Sequence, residues 1–348
     1  MIKKTLSLLL SFAIFGTVYL PLPQANASMA LEPYVTARSL VIYDPIECKI
    51  LAAKNTHFRL PLASTTKVMT AIVVLNHLPL DKVVTVERET AYVPRTKIYI
   101  RPGERFKVKD LLKALLISSS NDVAVELASQ VAGSERDFAR LMNQKARQIG
   151  ARDTRFVNPH GLPADSHYST SYDLTLIMKE AKKYPFIMNT LAIKRTSIRS
   201  KQGRIFYLKN HNKMLWRDSR PVIGKTGFTR KARHCFVGRI NYRKRDVLVA
   251  IMGSVRPWQD LKVLLDFYSR LSLKKQNEEV NQNKKSWSRR RLLGFERALK
   301  KIGYNPGPVD GIVTHETIKA IRSFQKKKKL PQTGTIGPLT SHELKKFT

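Results

Sequence analysis

Apolar and polar positions in the first part of the chain predict two strands followed by a buried helix. Residues 39–45 and 48–53 are largely apolar runs on either side of a tight Asp-Pro turn, which predicts a hairpin. From Lys67 to residue 75 the sequence is almost wholly apolar, which predicts a helix buried on nearly all sides. Ser64 follows a proline-led loop just before this run, where an N-cap or first-turn hydroxyl is expected.

The middle of the chain predicts helices, and the segment after it predicts strands. Helical spacing and capping residues mark residues 108–117, 121–132, 138–149 and 170–183. Strand-like runs follow at residues 222–229, 235–242 and 246–252. Residues 261–271 are predicted to form a closing helix. Because strands at both ends enclose helices between them, the pattern predicts an antiparallel sheet assembled from the two ends of the chain. The predicted fold class is therefore α/β in its α+β form.

The last quarter of the chain predicts a linker and a small helical domain. Residues 272–291 are polar and charged, which predicts a linker, with an extended surface helix as the alternative. Beyond it an internal repeat has a constant offset of 23 residues, which pairs Gly311 with Gly334, Thr317 with Thr340, Ile321 with Leu344 and Phe324 with Phe347. With residues 292–302 as a preceding helix, this predicts three short helices around a small core. About sixty residues are marginal but sufficient for a folded domain.

The N-terminus predicts export. Lys3 and Lys4 precede a short apolar run at residues 6–20, and Ala25-Asn26-Ala27 has the form of a signal-peptide cleavage site. We therefore predict a signal peptide at residues 1–27, with an uncleaved membrane anchor as the alternative. The predicted location is the periplasm or the extracellular cell wall.

Charge and cysteine content narrow the classes of partner. Lys plus Arg number 63 against 26 Asp plus Glu, a formal net charge of +37, which favours an anionic partner. Predicted export argues against a specific nucleic acid and for an anionic envelope polymer or membrane surface, although a proteome-wide bias would give the same charge. Cys48 and Cys235 both fall in strand-like stretches and are predicted to be buried free thiols. No Cys/His cluster has zinc spacing, and no cofactor is predicted.

Three short motifs carry the candidate chemistry. Ser64 and Lys67 lie three residues apart, so one helical turn brings a hydroxyl and an amine together as a nucleophile and base. The S-x-x-K pattern also occurs at residues 272–275 and 323–326, so its spacing alone is weak evidence. The chain has a single S-x-N, beginning at Ser119, and a single K-T-G, beginning at Lys225. The ordered set is that of penicillin-interacting serine enzymes.

The longer segments around these motifs resemble a known family. Residues 36–271 resemble the low-molecular-weight penicillin-binding proteins, specifically the D-alanyl-D-alanine carboxypeptidases, through residues 62–71, 117–122, 158–162, 169–174 and 224–229. Residues 292–348 resemble a peptidoglycan-binding domain, through residues 303–304, 306–311, 317 and 324–325. The resemblance implies a penicillin-binding/β-lactamase-like transpeptidase fold, an antiparallel sheet flanked by helices, plus a small three-helix C-terminal domain. In that fold the Ser64 helix is the floor of a cleft, and the Lys225 strand and the Ser119 loop are its walls.

The resemblance also implies catalytic roles. Ser64 would attack the carbonyl of a terminal D-Ala-D-Ala bond, and neutral Lys67 would take its proton. Burial and the charge of Lys225 would lower the pKa of Lys67. Ser119 would relay a proton to the leaving amine, and the oxyanion would lie between the backbone N–H groups of Ser64 and Phe228.

Binding roles and departures follow from the same resemblance. Asn121 would bind the substrate amide, while Lys225 and Thr226 would hold the terminal carboxylate with Arg256 as a helper. β-Lactam antibiotics mimic the dipeptide and would acylate the serine. The chain departs from the family in having Ser120 and Arg233 where glycine is usual, so that a bulky cation is expected to crowd the strand beside the site. Thr314 replaces a glycine usual in the binding domain.

The predicted function is thus an exported serine-type D-alanyl-D-alanine carboxypeptidase that acts on peptidoglycan stem pentapeptides. A D,D-endopeptidase that cuts peptidoglycan cross-links shares all of these residues and is the nearest alternative. A non-catalytic wall-binding scaffold is a third reading, against which the intact motifs argue. A β-lactamase needs a carboxylate-activated water, and residues 158–163 contain no glutamate to supply it.

Overall fold

The computed structural model describes residues 34–91, 93–94, 96–218, 222–242, 245–286 and 288–348, so the predicted signal peptide lies outside the described residues. Five antiparallel strands form the central sheet in the order β2-β1-β9-β8-β7, with bounds β1 Ser39–Asp44, β2 Lys49–Lys54, β7 Val222–Thr229, β8 Arg233–Tyr242 and β9 Arg245–Ser254. Ser39 pairs with Met252, so the N-terminal hairpin joins the strands that come last in the domain. The prediction of a sheet built from both ends is confirmed.

Two smaller antiparallel pairs lie outside this sheet. They are β3 Val83–Thr85 with β4 Arg105–Lys107, and β5 Arg195–Arg199 with β6 Ile205–Lys209. The β5–β6 pair was not predicted from the sequence. Between β2 and β7 lie the helices α1 Lys67–His77, α2 Val108–Lys113, α3 Asn121–Ala132, α4 Glu135–Gln148, α5 Ser171–Ala181, α6 Pro185–Ala192 and α7 Met214–Arg217.

The central sheet separates two hydrophobic clusters because side chains alternate across a strand. On β1, Val41 and Tyr43 belong to the larger cluster, which includes α1 and α3. Leu40 and Ile42 belong to the other, with Leu261, Leu264 and Leu265 of the next helix. The catalytic motifs described below lie on the side of the larger cluster.

The predicted linker is mostly helical. Helix α8, Pro257–Ser286, is 30 residues long and continues through the predicted end of the closing helix at residue 271. Residues 272–286 contain no proline or glycine and many residues with good helix propensity, so nothing in the sequence stops the helix there. The alternative of an extended helix describes this segment correctly, and the domain boundaries themselves remain predictions. Among the described residues, no helix is both long and apolar enough to cross a bilayer.

Three helices form the C-terminal domain, as predicted. They are α9 Arg289–Lys301, α10 His315–Lys327 and α11 Pro338–Lys345, and their apolar side chains form a cluster of their own. Thr314, the departure from the family glycine, has a φ of −112° and caps α10 by accepting a hydrogen bond from the Thr317 N–H. Threonine is a favoured N-cap, so the substitution suits the start of this helix.

The internal repeat corresponds to a repeated hydrogen-bond arrangement. Glu296 Oε2 accepts a bond of 2.8 Å from the Gly311 N–H, and Gln325 Oε1 accepts one of 3.0 Å from the Gly334 N–H. Both glycines have a φ of +74°, which favours glycine. Each half of the domain thus fastens a glycine turn to the preceding helix with one buried polar side chain.

The cysteines are free, and their environments differ. Cys235 is buried in β8, where burial raises the pKa of its thiol to about 12. Cys48 is exposed, so the prediction of a buried thiol there is wrong. It lies in the turn before β2 with a φ of +51°, outside the pleated part of the hairpin.

Candidate active site

Ser64 lies in a 3₁₀ turn, Ala63–Thr66, that leads directly into α1. The turn begins at Ala63, whose φ of +47° is unusual for a residue with a side chain. Ser64 is partly exposed, whereas Lys67 is fully buried. Lys67 Nζ lies 3.0 Å from Ser64 Oγ, which confirms that one helical turn brings the two groups together.

Lys67 is surrounded by neutral oxygen atoms. Its Nζ donates to Asn121 Oδ1 at 2.7 Å and to the backbone oxygen of His160 at 2.6 Å. Burial, and then the positive charge of Lys225, hold the pKa of Lys67 well below that of an exposed lysine, and the carboxylate of Asp122 opposes them. The neutral amine is therefore favoured at this position.

Lys225 is the second buried cation of the site. It lies on β7, and its Nζ donates to Ser119 Oγ at 2.9 Å and to the backbone oxygen of Thr226 at 2.9 Å. Burial lowers its pKa to about 7. A Cβ at Gly227 would lie 2.8 Å from the Ser64 backbone nitrogen, so only glycine lets this edge strand approach the serine.

The Ser119 loop completes the cluster. A π-helical turn, Ala114–Ser118, ends at Ser119, whose φ is +61°. Such turns and conformations are concentrated at functional sites. Asn121 Nδ2 donates to the backbone oxygen of Pro94 at 3.1 Å, which orients the amide so that its oxygen faces Lys67. Ser120 is buried and donates to the Ala114 backbone oxygen, away from these groups.

The remaining predicted residues are Thr226, Phe228 and Arg256. Thr226 is partly buried on β7, and the exposed Phe228 side chain packs against His234 with ring centroids 4.5 Å apart. Arg256 is exposed between β9 and α8, and its backbone N–H donates to Thr36 Oγ1. Among the described residues, no hydrogen bond links Arg256 to the catalytic side chains.

Arg233 is the first residue of β8, where it pairs with Thr229 at the end of β7, and it is exposed with a φ of +57°. The absence of the family glycine therefore costs backbone strain at this position. Because the residue is exposed and not packed into the sheet, the expectation that it crowds the strand is wrong.

Sequence reasoning missed His167, which supports the turn that carries Ser64. Its Nδ1 accepts a bond of 2.9 Å from the Val157 N–H, so the ring proton is on Nε2, which donates to Thr66 Oγ1 at 3.0 Å. Thr66 Oγ1 in turn donates to the Ala63 backbone oxygen at 2.7 Å. Burial, followed by the charges of His160 and Lys67, lowers the pKa of His167 to about 3, so the ring is neutral.

The loop that precedes His167 packs directly against the same turn. Gly161 has a φ of +87°, and a Cβ there would lie 1.9 Å from the Ala63 backbone oxygen. His160 Nδ1 accepts from the Leu162 N–H at 3.1 Å, and its Nε2 is 3.3 Å from a Glu135 carboxylate oxygen. These bonds fix the His160 backbone oxygen that Lys67 contacts.

His167→Ala is expected to slow acylation by penicillin by about tenfold to a hundredfold, because the Ser64 turn loses its outer support. His167→Gln, which keeps a donor for Thr66, should retain more of the rate. The pH dependence between about 5 and 9 should keep its shape, since a histidine with a pKa of about 3 does not titrate there. His57→Ala, an exposed histidine, is the control. An altered pH profile would contradict a purely supporting role.

Comparisons with known proteins match both parts of the chain. The family model described as D-alanyl-D-alanine carboxypeptidase matches residues 26–255, and a peptidoglycan binding domain model matches residues 294–344. D-alanyl-D-alanine carboxypeptidase DacF of Bacillus subtilis is 32% identical over 257 residues, which are 70% of this chain and 66% of that protein. A D-alanyl-D-alanine endopeptidase of Escherichia coli is 33% identical over 235 residues, 66% of this chain and 75% of that protein.

Solved structures extend the similarity to three dimensions. D-alanyl-D-alanine carboxypeptidase of Mycobacterium tuberculosis is 28% identical with a TM-score of 0.64, over 68% of this chain and 92% of that one. The Streptomyces K15 DD-transpeptidase is 27% identical with a TM-score of 0.63, over 67% of this chain and 97% of that one. The predicted penicillin-binding-like fold is confirmed.

Proposed function

Because the chain belongs to the D-alanyl-D-alanine carboxypeptidase family, we propose that it removes the terminal D-Ala from peptidoglycan stem pentapeptides through an acyl-enzyme on Ser64. The contacts of Lys67 are the main support for this proposal. As a neutral amine, its two N–H groups are taken by Asn121 Oδ1 and the His160 backbone oxygen, so its lone pair faces Ser64 Oγ. A base so placed activates a serine hydroxyl.

Acylation begins when Ser64 Oγ attacks the carbonyl carbon of the D-Ala-D-Ala bond and its proton passes to Lys67. The negative charge on the carbonyl oxygen is stabilised by the backbone N–H groups of Ser64 and Phe228. Ser119, held by Lys225, donates its proton to the leaving nitrogen as the C–N bond breaks and receives the proton from Lys67 in its place, so that the base becomes neutral again. Water then hydrolyses the ester and restores Ser64.

The remaining residues position the substrate. Protonated Lys225 and Thr226 hold the terminal carboxylate, and Asn121 binds the penultimate amide. Arg256 is exposed, so its contribution is long-range attraction of the same carboxylate. β-Lactams carry an equivalent carboxylate and acylate Ser64 in the same way.

The C-terminal domain holds the enzyme on its polymeric substrate. Its match to a peptidoglycan binding domain supports this role, and tethering raises the local concentration of stem peptides. The signal-like N-terminus supports a location of the mature enzyme in the periplasm or the extracellular wall. A net charge of +37 would add attraction to an anionic envelope surface.

The direct test is D-Ala release from a pentapeptide ending in D-Ala-D-Ala by the chain from residue 28 to residue 348. In parallel, penicillin should add one covalent adduct per chain, and digestion should locate it on the peptide that contains Ser64. Adduct formation without D-Ala release would reject the carboxypeptidase activity. If neither D-Ala release nor a penicillin adduct is found, the remaining interpretation is a non-catalytic wall-binding scaffold.

Acylation by penicillin should have a bell-shaped pH dependence. The rate rises with pH as Lys67 loses its proton, and it falls above about pH 7 as Lys225 becomes neutral and holds the carboxylate less well. A penicillin methyl ester, which lacks the carboxylate, should show the rise without the fall. Equal falls for acid and ester would contradict the role of Lys225.

A further inference from the structure

A second concave surface opens near the catalytic cations. It is a cleft of about 540 Å³ between the end of the β5–β6 pair and α7. Buried Asn210 lies in its wall, and Trp216 is 40% exposed at its surface. Its charged lining consists of four cations, Arg195, Lys209, Lys213 and Arg217.

Within the described part of the chain, none of these four cations forms an ion pair with a carboxylate. Other exposed cations are also unpaired, but these four line one concavity. Four cations in one concavity repel each other unless an anion joins them. The cleft therefore suits a ligand that carries negative charge.

The segment that lines the cleft leads directly into the catalytic strand. Asn212 Nδ2 donates to the backbone oxygen of Val222, the first residue of β7, at 2.9 Å. His211, next to it, lies in the field of the active site, because partial burial and the charges of Lys225, Lys67 and Lys209 lower its pKa to about 4.

The direction of β7 identifies which part of a substrate reaches this cleft. In the proposed mechanism the oxyanion lies at Phe228 and the terminal carboxylate at Lys225, so the substrate runs along β7 from its acyl part to its leaving group. Val222 and the cleft lie beyond Lys225 in the same direction. A leaving group larger than D-Ala would extend toward the four cations.

We propose that the cleft is a leaving-group subsite for the acidic stem peptide on the amine side of a peptidoglycan cross-link. This inference rests on the proposed function, since it uses the same Ser64 acyl-enzyme. When D-Ala leaves, its single carboxylate is already held by Lys225 and Thr226, which gives the four cations nothing to bind. The second stem of a cross-link carries further carboxylates, and these match the cleft in sign and position.

The bond changes are those of D-Ala release. Ser64 Oγ forms an ester with the D-Ala carbonyl carbon, the C–N bond of the cross-link breaks, and the leaving amine takes the proton that Ser64 lost. Water hydrolyses the ester and frees a D-Ala carboxylate. The enzyme would thus act as a D,D-endopeptidase as well as a carboxypeptidase, with the cleft selecting the dimer.

The test compares a cross-linked muropeptide dimer with a pentapeptide monomer. The cleft variant combines Arg195→Gln, Lys209→Gln and Lys213→Gln. The control variant combines Lys49→Gln, Arg88→Gln and Arg136→Gln, three exposed cations outside the cleft, and loses the same charge. We expect kcat/KM for the dimer to fall at least about tenfold in the cleft variant alone, because each charge-assisted bond contributes strongly. Monomer activity should stay within about threefold in both variants.

A second arm changes the substrate instead of the protein. This arm uses a dimer in which the acceptor-stem carboxylates are amidated, except for the one beside the scissile bond that Lys225 and Thr226 hold. The wild-type enzyme should cut this dimer as slowly as the cleft variant cuts the unmodified dimer. Stoichiometric penicillin labelling verifies that each variant is folded. The inference is wrong if the dimer is cut equally fast by the cleft variant, if monomer or control activity falls to the same extent, or if the wild type cuts no dimer. If the wild type cuts no dimer but still releases D-Ala from the monomer, the proposed function stands and only this inference fails. If the wild type neither releases D-Ala nor is labelled by penicillin, the inference and the proposed function are both rejected.

Discussion

Lys67→Met is expected to slow acylation of the enzyme by penicillin by about 10²- to 10⁴-fold, the range that a general base supplies. Methionine is similar in length and apolar, so it fills the buried position that Lys67 occupies. It offers no lone pair strong enough to take the Ser64 proton. The hydroxyl remains in place and lacks only its base.

Lys67→Arg separates the base from a mere positive charge. A guanidinium stays protonated in proteins, so this variant should be as slow as Lys67→Met even though the charge is retained. Rates come from mass spectrometry of the adduct over time, with Ser64→Ala as the floor. Thermal unfolding should be recorded, because Met leaves Asn121 Oδ1 and the His160 oxygen without a donor. Acylation within about tenfold of wild type in either variant would rule out Lys67 as the base.

Gly161→Ala should both destabilise the fold and disable the serine. The substitution places a methyl group 1.9 Å from the Ala63 backbone oxygen, where backbone has to move. Ala63 immediately precedes Ser64, so relief of the clash displaces the nucleophile from Lys67. We expect a loss of at least about 2 kcal/mol in the free energy of unfolding, and acylation slower by about a hundredfold.

Gly103→Ala is the matched control. Gly103 has a similar φ of +81°, but nothing lies within 4 Å of its added Cβ. It should lose only the cost of a left-handed alanine, about 1 kcal/mol, and acylate normally. Urea unfolding and penicillin labelling of both variants measure the difference. Equal losses of stability would mean that the backbone conformation, and not the contact with Ala63, makes glycine necessary at residue 161.

The sequence predicted the site through local spacing and through family motifs. Ser64 and Lys67 meet because one helical turn joins them, whereas the approach of the Lys225 strand to Ser64 was implied only by the resemblance. His167 left no such signal. Its partner Thr66 is 101 residues away in the chain, and the two meet where Leu60 pairs with Ser169 across the fold. Contacts of this kind depend on tertiary packing, which no local pattern encodes.

The wrong predictions for the linker and for Cys48, and the missed cleft, also arose because local composition does not determine the surrounding structure. Charged composition suggested a linker at residues 272–291. The part of it at residues 272–286 contains no proline or glycine and so also suits a helix, and the preceding turns of α8 favour its continuation. Cys48 was predicted to be buried because the residues after it form a strand. The strand begins only at Lys49, so Cys48 still belongs to the exposed turn. The cleft lined by four cations was missed because two of them, Arg195 and Lys209, come together only when β5 pairs with β6.

The pairing of β1 with β9 has a consequence for synthesis of the chain. Ribosomes make β1, β2 and Ser64 early, yet β1 reaches its place in the sheet only after β9 has emerged. Until then β1 and β2 can form at most a two-stranded hairpin, which is marginal in water. Contacts between such distant segments also make folding slow.

A nascent chain that ends before β7 lacks Lys225 and the wall that faces the serine. The acylating centre therefore appears abruptly, when nearly the whole domain has been translated and released. If the N-terminus directs export as its sequence predicts, this delay would keep the chain unfolded while it crosses the membrane. The nucleophile would then gain its full set of partners only after export, when the last strands of the sheet have paired.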